Sequence, residues 1–264
     1  MTALPWPIGV TQWTLRESTY ERALERVAAA GYRSVELLAD PDGPRGTRME
    51  RMLADAGLEA SSLCAMYSAM RDCAHPDRAP RSRASAYLRG CLELGGELAA
   101  RTLVCVPTYR VEPLAAREDE LRWAAETIAG ALGAVAGGPT LVVEALNRYE
   151  THLINTLDDA EALSAAIGDD RVAVMGDLFH MNIEEADMTG ALRAHASHLA
   201  HVHLADTNRL QPGAGHMDFG AVGAALHEVG FTGTMSMEFA PVSDDGLQAG
   251  LVHVEQTMAG LRST

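Results

Sequence analysis

The sequence is poor in cysteine, with four residues (Cys64, Cys73, Cys91 and Cys105) in 264. No pair has the C-x-x-C spacing of a structural zinc site, and the chain is too long for a disulfide scaffold. The four therefore read as free thiols of a reducing compartment. There is no apolar run near the roughly 18 residues of a membrane span. The first residues, MTALPWPIGVTQWTL, lack a basic segment followed by a long apolar one, which predicts a cytoplasmic protein without membrane attachment. Basic residues are outnumbered, 21 Lys and Arg against 36 Asp and Glu, for a net charge of −15. Such a chain repels a phosphate backbone, so nucleic acid is not an expected partner. No G-x-G-x-x-G follows the first apolar run, which removes the usual reason to expect a dinucleotide-binding fold. No Pro- or Ser-rich linker and no low-complexity segment divides the chain.

What is present is a regular alternation. Short apolar runs at 8–13, 34–38, 58–66, 102–107, 141–145, 172–175, 199–204 and 234–239 read as strands. Helical patterns fill the gaps: 19–30, 47–56, 81–98 with an interruption near Gly95-Gly96, 117–135, 156–167, a segment within 184–196, 219–229, and 244–261. Gly31, Gly57 and Gly230 stand where helices should stop. Thr156 is the expected N-cap of its helix, with Asp158 and Asp159 in the first turn, where the helix dipole favours acids. Strict alternation predicts a parallel sheet with helical crossovers. Eight such units in a chain close to the roughly 250 residues of a plain barrel predict a single (β/α)₈ TIM-barrel domain over residues 1–264.

In that fold the active site lies at the C-terminal ends of the strands. Strand five ends in Glu144, strand six in Asp177 with His180 just beyond, strand seven in His203, and strand eight in Glu238. They are about one strand–helix unit apart, so neighbouring strands bring them to one point. Three carboxylates and an imidazole form a mixed oxygen and nitrogen set suited to Mn²⁺, Mg²⁺ or Co²⁺. His201 and His203 share a face of strand seven, with His201 one layer deeper, in a core or supporting role. Trp13 either packs in the core or lies on a sugar face. Arg71, His75, Arg78, Arg81 and Arg83 form either a solvated face or a pocket edge for a phosphorylated or acidic substrate. Residues 66–74 are read as a loop over the pocket, and His216 is given no role.

Four segments carry a resemblance. They are Glu144-Ala-Leu-Asn-Arg-Tyr-Glu150, Asp177-Leu-Phe-His180-Met-Asn-Ile-Glu-Glu185, His201-Val-His203 followed by Asp206-Thr-Asn-Arg209 and Pro212-Gly-Ala-Gly-His216, and Met237-Glu238-Phe239. In content and spacing they resemble the D-tagatose/D-psicose (ketose) 3-epimerases of the xylose-isomerase-like barrel superfamily. The resemblance covers about 141–240. It implies one divalent metal ion, Mn²⁺ first, on Glu144, Asp177, His203 and Glu238. It implies substrate contacts from Glu150, His180 and Arg209, and a homodimer or homotetramer. The implied reaction is epimerisation of a sugar at C3 of a ketose, through an enediolate, with Glu144 and Glu238 as the acid/base pair on opposite faces. Gly176 and Leu178 depart from the family pattern beside Asp177. The same barrel could serve an aldose–ketose or hydroxypyruvate-type isomerase, or a lyase on an oxidised glycoside. More distant readings are an endonuclease IV-like enzyme, opposed by the charge, and a non-catalytic sugar-binding barrel.

Overall fold

A computed structural model describes residues 6–17, 19–240 and 243–258. Eight strands close a barrel in chain order: β1 Ile8–Thr11, β2 Ser34–Ala39, β3 Glu59–Ala65, β4 Thr102–Cys105, β5 Thr140–Glu144, β6 Val172–Asp177, β7 Leu199–Leu204 and β8 Thr234–Met237. Every neighbouring pair is parallel, including the closing pair of β1 and β8. The helices are α1 Gln12–Leu15, α2 Tyr20–Ala29, α3 Gly46–Ala56, α4 Arg78–Glu97, α5 Arg117–Leu132, α6 Leu157–Ile167, α7 Leu178–Glu184, α8 Met188–Ala194, α9 Phe219–Glu228 and α10 Asp244–Met258. None of the described helices is long and apolar enough to cross a membrane.

The period of two along each strand separates two environments. Leu141 and Val143 of β5 lie in the apolar layer between strands and helices, while Val142 joins Cys64, Val104, Ala173 and Met175 in a small cluster inside the barrel. The same alternation points Glu144, Asp177, His201 and His203 inward. The outer layer supplies most of the buried area. Leu88 and Leu92 of α4 and Ile128 and Leu132 of α5 are fully buried, each stabilising the fold by about 1.5–3 kcal/mol.

Local signals act as the sequence predicts at α6. Thr156 Oγ1 accepts from Asp159 N at 3.2 Å, Asp159 Oδ2 accepts from Thr156 N at 3.3 Å, and Gly168 ends the helix at φ +67°. Elsewhere the structure corrects the expectation. Helix α4 begins at Arg78 and runs unbroken through Gly95 and Gly96. Gly95 is there for contact: a Cβ would stand 2.6 Å from Pro139 Cγ. Strand β1 stops at Thr11, whose hydroxyl accepts from Trp13 N and turns the chain into α1. The single helix expected within 184–196 is α8, and α7 precedes it, started by Asp177. Strand β8 ends at Met237, just before Glu238. Helix α10 reaches Met258, and the rest of the segment expected to 261 falls outside the described residues.

Candidate metal and sugar site

At the C-terminal mouth, Glu144 ends β5, Asp177 ends β6, and His203 sits beside Asp177 in the β6–β7 ladder. Glu238 follows β8 and is held by its N–H, which donates to Leu204 O at 3.0 Å. One ligand atom from each of the four lies within 4.8 Å of the others. His203 Nδ1 stands 3.3 Å from Glu144 Oε1, 3.4 Å from Glu238 Oε2 and 3.7 Å from Asp177 Oδ2. Glu144 Oε1, Asp177 Oδ2 and His203 Nδ1 are buried without a hydrogen-bond partner. Buried polar atoms are normally paired. Three orphaned lone-pair atoms converging on one point, with a fourth donor on Glu238, fit a divalent cation of the oxygen- and nitrogen-binding kind.

Electrostatics agree with that fit. Burial, added to the neighbouring Glu238 and Asp177 charges, pushes the Glu144 carboxyl up to about 8 against the pull of His203. Burial also opposes the Asp177 anion, but His180, His203 and Arg209 hold its pKa well below the usual carboxylate range. His203 goes the other way: burial favours the neutral ring, yet Glu36 and Glu238 raise its pKa well above the ordinary value. These are the signs of a negative pocket whose charge protons or a metal must balance.

Asp177 has two tasks. Its Oδ1 accepts from Phe179 N at 2.8 Å and His180 N at 3.3 Å, capping α7, and its Oδ2 faces His203. The cap fixes the carboxylate and aims His180 at the pocket in one stroke. The departure at Gly176 has a packing cause, since a Cβ there would meet Met181 Sδ at 2.8 Å.

Above the acidic cluster lies a cavity walled by Trp13, Leu38, Cys64, Met66, Tyr67, Tyr109 and Leu146, with Glu144, Glu150, His180, Arg209 and Glu238 as its polar groups. All three residues expected to contact substrate are in it. Arg209 Nη2 donates to Glu238 Oε2 at 2.9 Å, and its Nη1 is 3.0 Å from His180 Nε2 and 3.6 Å from Glu150 Oε1. Asn147, which the sequence reading passed over, sets the histidine. Its backbone N–H donates to His180 Nδ1 at 3.1 Å, and its Nδ2 donates to Glu150 Oε1 at 3.0 Å. Arg209 directs an N–H at Nε2, so both ring nitrogens of His180 face donors and a neutral ring accepts from one of them. His180 and Arg209 line the same part of the cavity. Burial lowers the His180 pKa, which keeps the ring neutral.

Trp13 stands on the wall of the cavity, with the Arg209 guanidinium 5.4 Å from its ring centre. Of the segment 66–74 expected over the pocket, Met66 and Tyr67 line the cavity and residues 68–74 do not. The arginine cluster holds its own loop: Arg81 donates to His75 O and Pro76 O, Arg83 to Met70 O, and Arg71 lies over the Tyr87 ring. None of the five lines the cavity. Glu36 is the other functional candidate that sequence reading missed. It lies fully buried on β2, 3.1 Å from His203 Nε2, and its signal was a lone carboxylate inside an apolar strand.

Barrel and cluster together place the protein among known ones. Residues 24–257 match the family described as xylose isomerase-like TIM barrel, and the chain belongs to that family. Its relatives include ketose 3-epimerases and a 3-dehydro-D-guloside 4-epimerase of Escherichia coli, 39% identical over 112 residues, which cover 42% of this chain and 43% of that enzyme. An L-ribulose 3-epimerase of Mesorhizobium japonicum is 30% identical over 228 residues, 84% of this chain and 76% of that enzyme. A D-psicose 3-epimerase of Enterocloster bolteae is 42% identical over 98 residues, which cover 37% of this chain and 33% of that enzyme. The chain thus spans about a third of the length of the D-psicose 3-epimerase it matches. A solved L-ribulose 3-epimerase superposes with a TM-score of 0.87 at 25% identity, covering 97% of this chain and 95% of that one.

Proposed function

We propose that this chain is a metal-dependent sugar epimerase that inverts C3 of a free ketose, with Glu144, Asp177, His203 and Glu238 as ligands and Glu144 and Glu238 as the acid/base pair. The observation that carries the reading is the convergence of both glutamates on His203 Nδ1, at 3.3 and 3.4 Å, at the floor of a cavity of sugar-binding character. Mn²⁺ is the expected ion, with Co²⁺ or Mg²⁺ as substitutes. When bound, a divalent ion supplies Lewis-acid stabilisation of the negative charge that develops on the substrate oxygens.

The remaining work falls to side chains. His180 and the Arg209 guanidinium, 3.0 Å apart on the cavity wall, hold the carbonyl oxygen. Glu150, tied by Asn147, takes a substrate hydroxyl. Glu238, gripped by Arg209 at 2.9 Å, and Glu144 then share the proton work. One carboxylate removes the proton from the carbon beside the carbonyl, and the other, as a carboxylic acid, returns one to the opposite face. The apolar upper wall of Leu38, Met66, Tyr67 and Tyr109 offers the far end of the sugar surface to pack on. Arg71 of the β3–α4 loop lies over an aromatic face, and Arg81 and Arg83 of α4 are committed to backbone carbonyls, which favours an unphosphorylated substrate.

The test is turnover of fructose, psicose, tagatose and ribulose with Mn²⁺, with and without chelator, beside Glu238→Gln. The expected result is a 3-epimer that vanishes on chelation and in the variant. Aldose formation, or no reaction by a metal-loaded protein, would replace this reading with an isomerase or a lyase on the same barrel.

A further inference from the structure

The barrel interior beneath the site holds a buried carboxylate that the mechanism above does not use. Glu36 projects from β2 with no solvent exposure. Its Oε1 accepts from His203 Nε2 at 3.1 Å. Its Oε2 is 3.0 Å from His201 Nε2. His201 Nδ1 in turn meets Thr234 Oγ1 at 2.6 Å, and Thr234 meets Thr102 Oγ1 at 3.3 Å. A chain of polar groups thus runs from the lower barrel up to the underside of His203.

The position does not need an acid for packing. The inner face of the barrel also carries Val104, Val142 and Ala173, and burying a carboxylate in such an interior is costly unless it is paired and hydrogen-bonded. What Glu36 does is settle His203. An imidazole that donates from Nε2 to a carboxylate keeps the lone pair on Nδ1, and Nδ1 is the atom that faces Glu144, Asp177 and Glu238. The same bond fixes the ring plane and makes Nδ1 a stronger donor, the service that outer carboxylates give to metal-binding histidines.

We infer that Glu36 is a positioning residue for the metal ion: by accepting from His203 Nε2 it sets the tautomer and orientation in which His203 Nδ1 binds. The inference rests on the ligand set proposed above. It also assigns the nearby grouping of Glu36, His201 and His203 to support of one ion and not to a second ion.

The experiment is calorimetric titration of this chain with Mn²⁺ for wild type, Glu36→Leu and Glu36→Gln, with apo-protein melting and circular dichroism alongside. The expected result is one Mn²⁺ per chain in wild type and an affinity about 10–100-fold weaker in Glu36→Leu, the range seen when such outer partners are removed. Glu36→Gln keeps an uncharged acceptor of the same shape and should fall between the two while melting like the wild type. If Glu36→Leu does not fold, the isosteric variant decides alone. Wild-type Mn²⁺ affinity in a folded Glu36→Gln and Glu36→Leu overturns the role of Glu36 and leaves the ligand set intact. Two Mn²⁺ per wild-type chain, falling to one in Glu36→Leu, makes Glu36 a ligand and overturns it too. A wild-type protein that binds no Mn²⁺ brings down the ligand set itself, and this inference with it.

Discussion

Arg209→Lys is the sharpest probe of how the sugar is held. Arg209 sits in a turn at φ +58°, its N–H donating to Asp206 O at 2.8 Å and its C=O accepting from Ala240 N at 2.7 Å. A non-glycine residue in that region stores about 1 kcal/mol or more of strain, a frequent feature of functional sites. Lysine inherits the same strain and the same charge, so the substitution isolates the guanidinium fork. In the wild type the fork reaches Glu238 at 2.9 Å with one nitrogen and stands 3.0 Å from His180 with the other, over the rings of Trp13 and Phe179. One ammonium cannot serve both directions. Losing a hydrogen bond to a charged group costs about 1.5–3 kcal/mol, and each 1.36 kcal/mol is tenfold in rate. The expected loss in kcat/KM is therefore about 10–150-fold, measured on whichever ketose is turned over best. Because Arg209 offers no ligand atom and its charge is kept, Mn²⁺ binding by calorimetry should change little. A variant within about threefold of wild-type kcat/KM would refute the positioning role.

Mn²⁺ affinity should rise with pH. Glu144, pushed up to about 8, and His203, raised by Glu36 and Glu238, carry protons that the ion must displace. Titration in buffers of different ionisation enthalpy should detect protons released on binding, and an affinity that is flat from about pH 6 to 8 would contradict this. Thr156→Ala removes the hydroxyl that accepts from Asp159 N. It should cost about 1 kcal/mol, lowering the melting temperature by about 2–4 °C for a chain of this size, with kcat/KM unchanged. A melting curve that does not move would mean that Asp159 holds the first turn alone.

The barrel was legible because its signals are local. The order of the strand runs, Gly31, Gly57 and Gly230 as stops, and the Thr156 cap each read the same way in sequence and structure. The errors came where packing or capping overrides a local cue. Gly95 reads as a helix breaker until Pro139 is seen against it. Asp177 reads as a strand-end ligand, and its second task of starting α7 shows only when Phe179 N and His180 N are found on its carboxylate. Four acids and bases spaced by one strand–helix unit could be found because the fold dictates where strand ends meet. Glu36 and Asn147 could not be found that way. Each acts on another side chain, His203 or His180, across a distance in sequence that only the closed barrel bridges. Part of the apolar cavity wall was equally hidden, since Leu38, Cys64 and Tyr109 come from the first half, where the sequence carries no motif.

The central claim is proton exchange at the carbon beside the ketose carbonyl, and running the Mn²⁺-loaded enzyme in D₂O tests it most directly. With the best ketose from the panel, proton and carbon NMR of the products should show the 3-epimer carrying deuterium at C3. Product that keeps its C3 proton and gains deuterium at C1 or C2 would contradict the claim and make the enzyme an aldose–ketose isomerase.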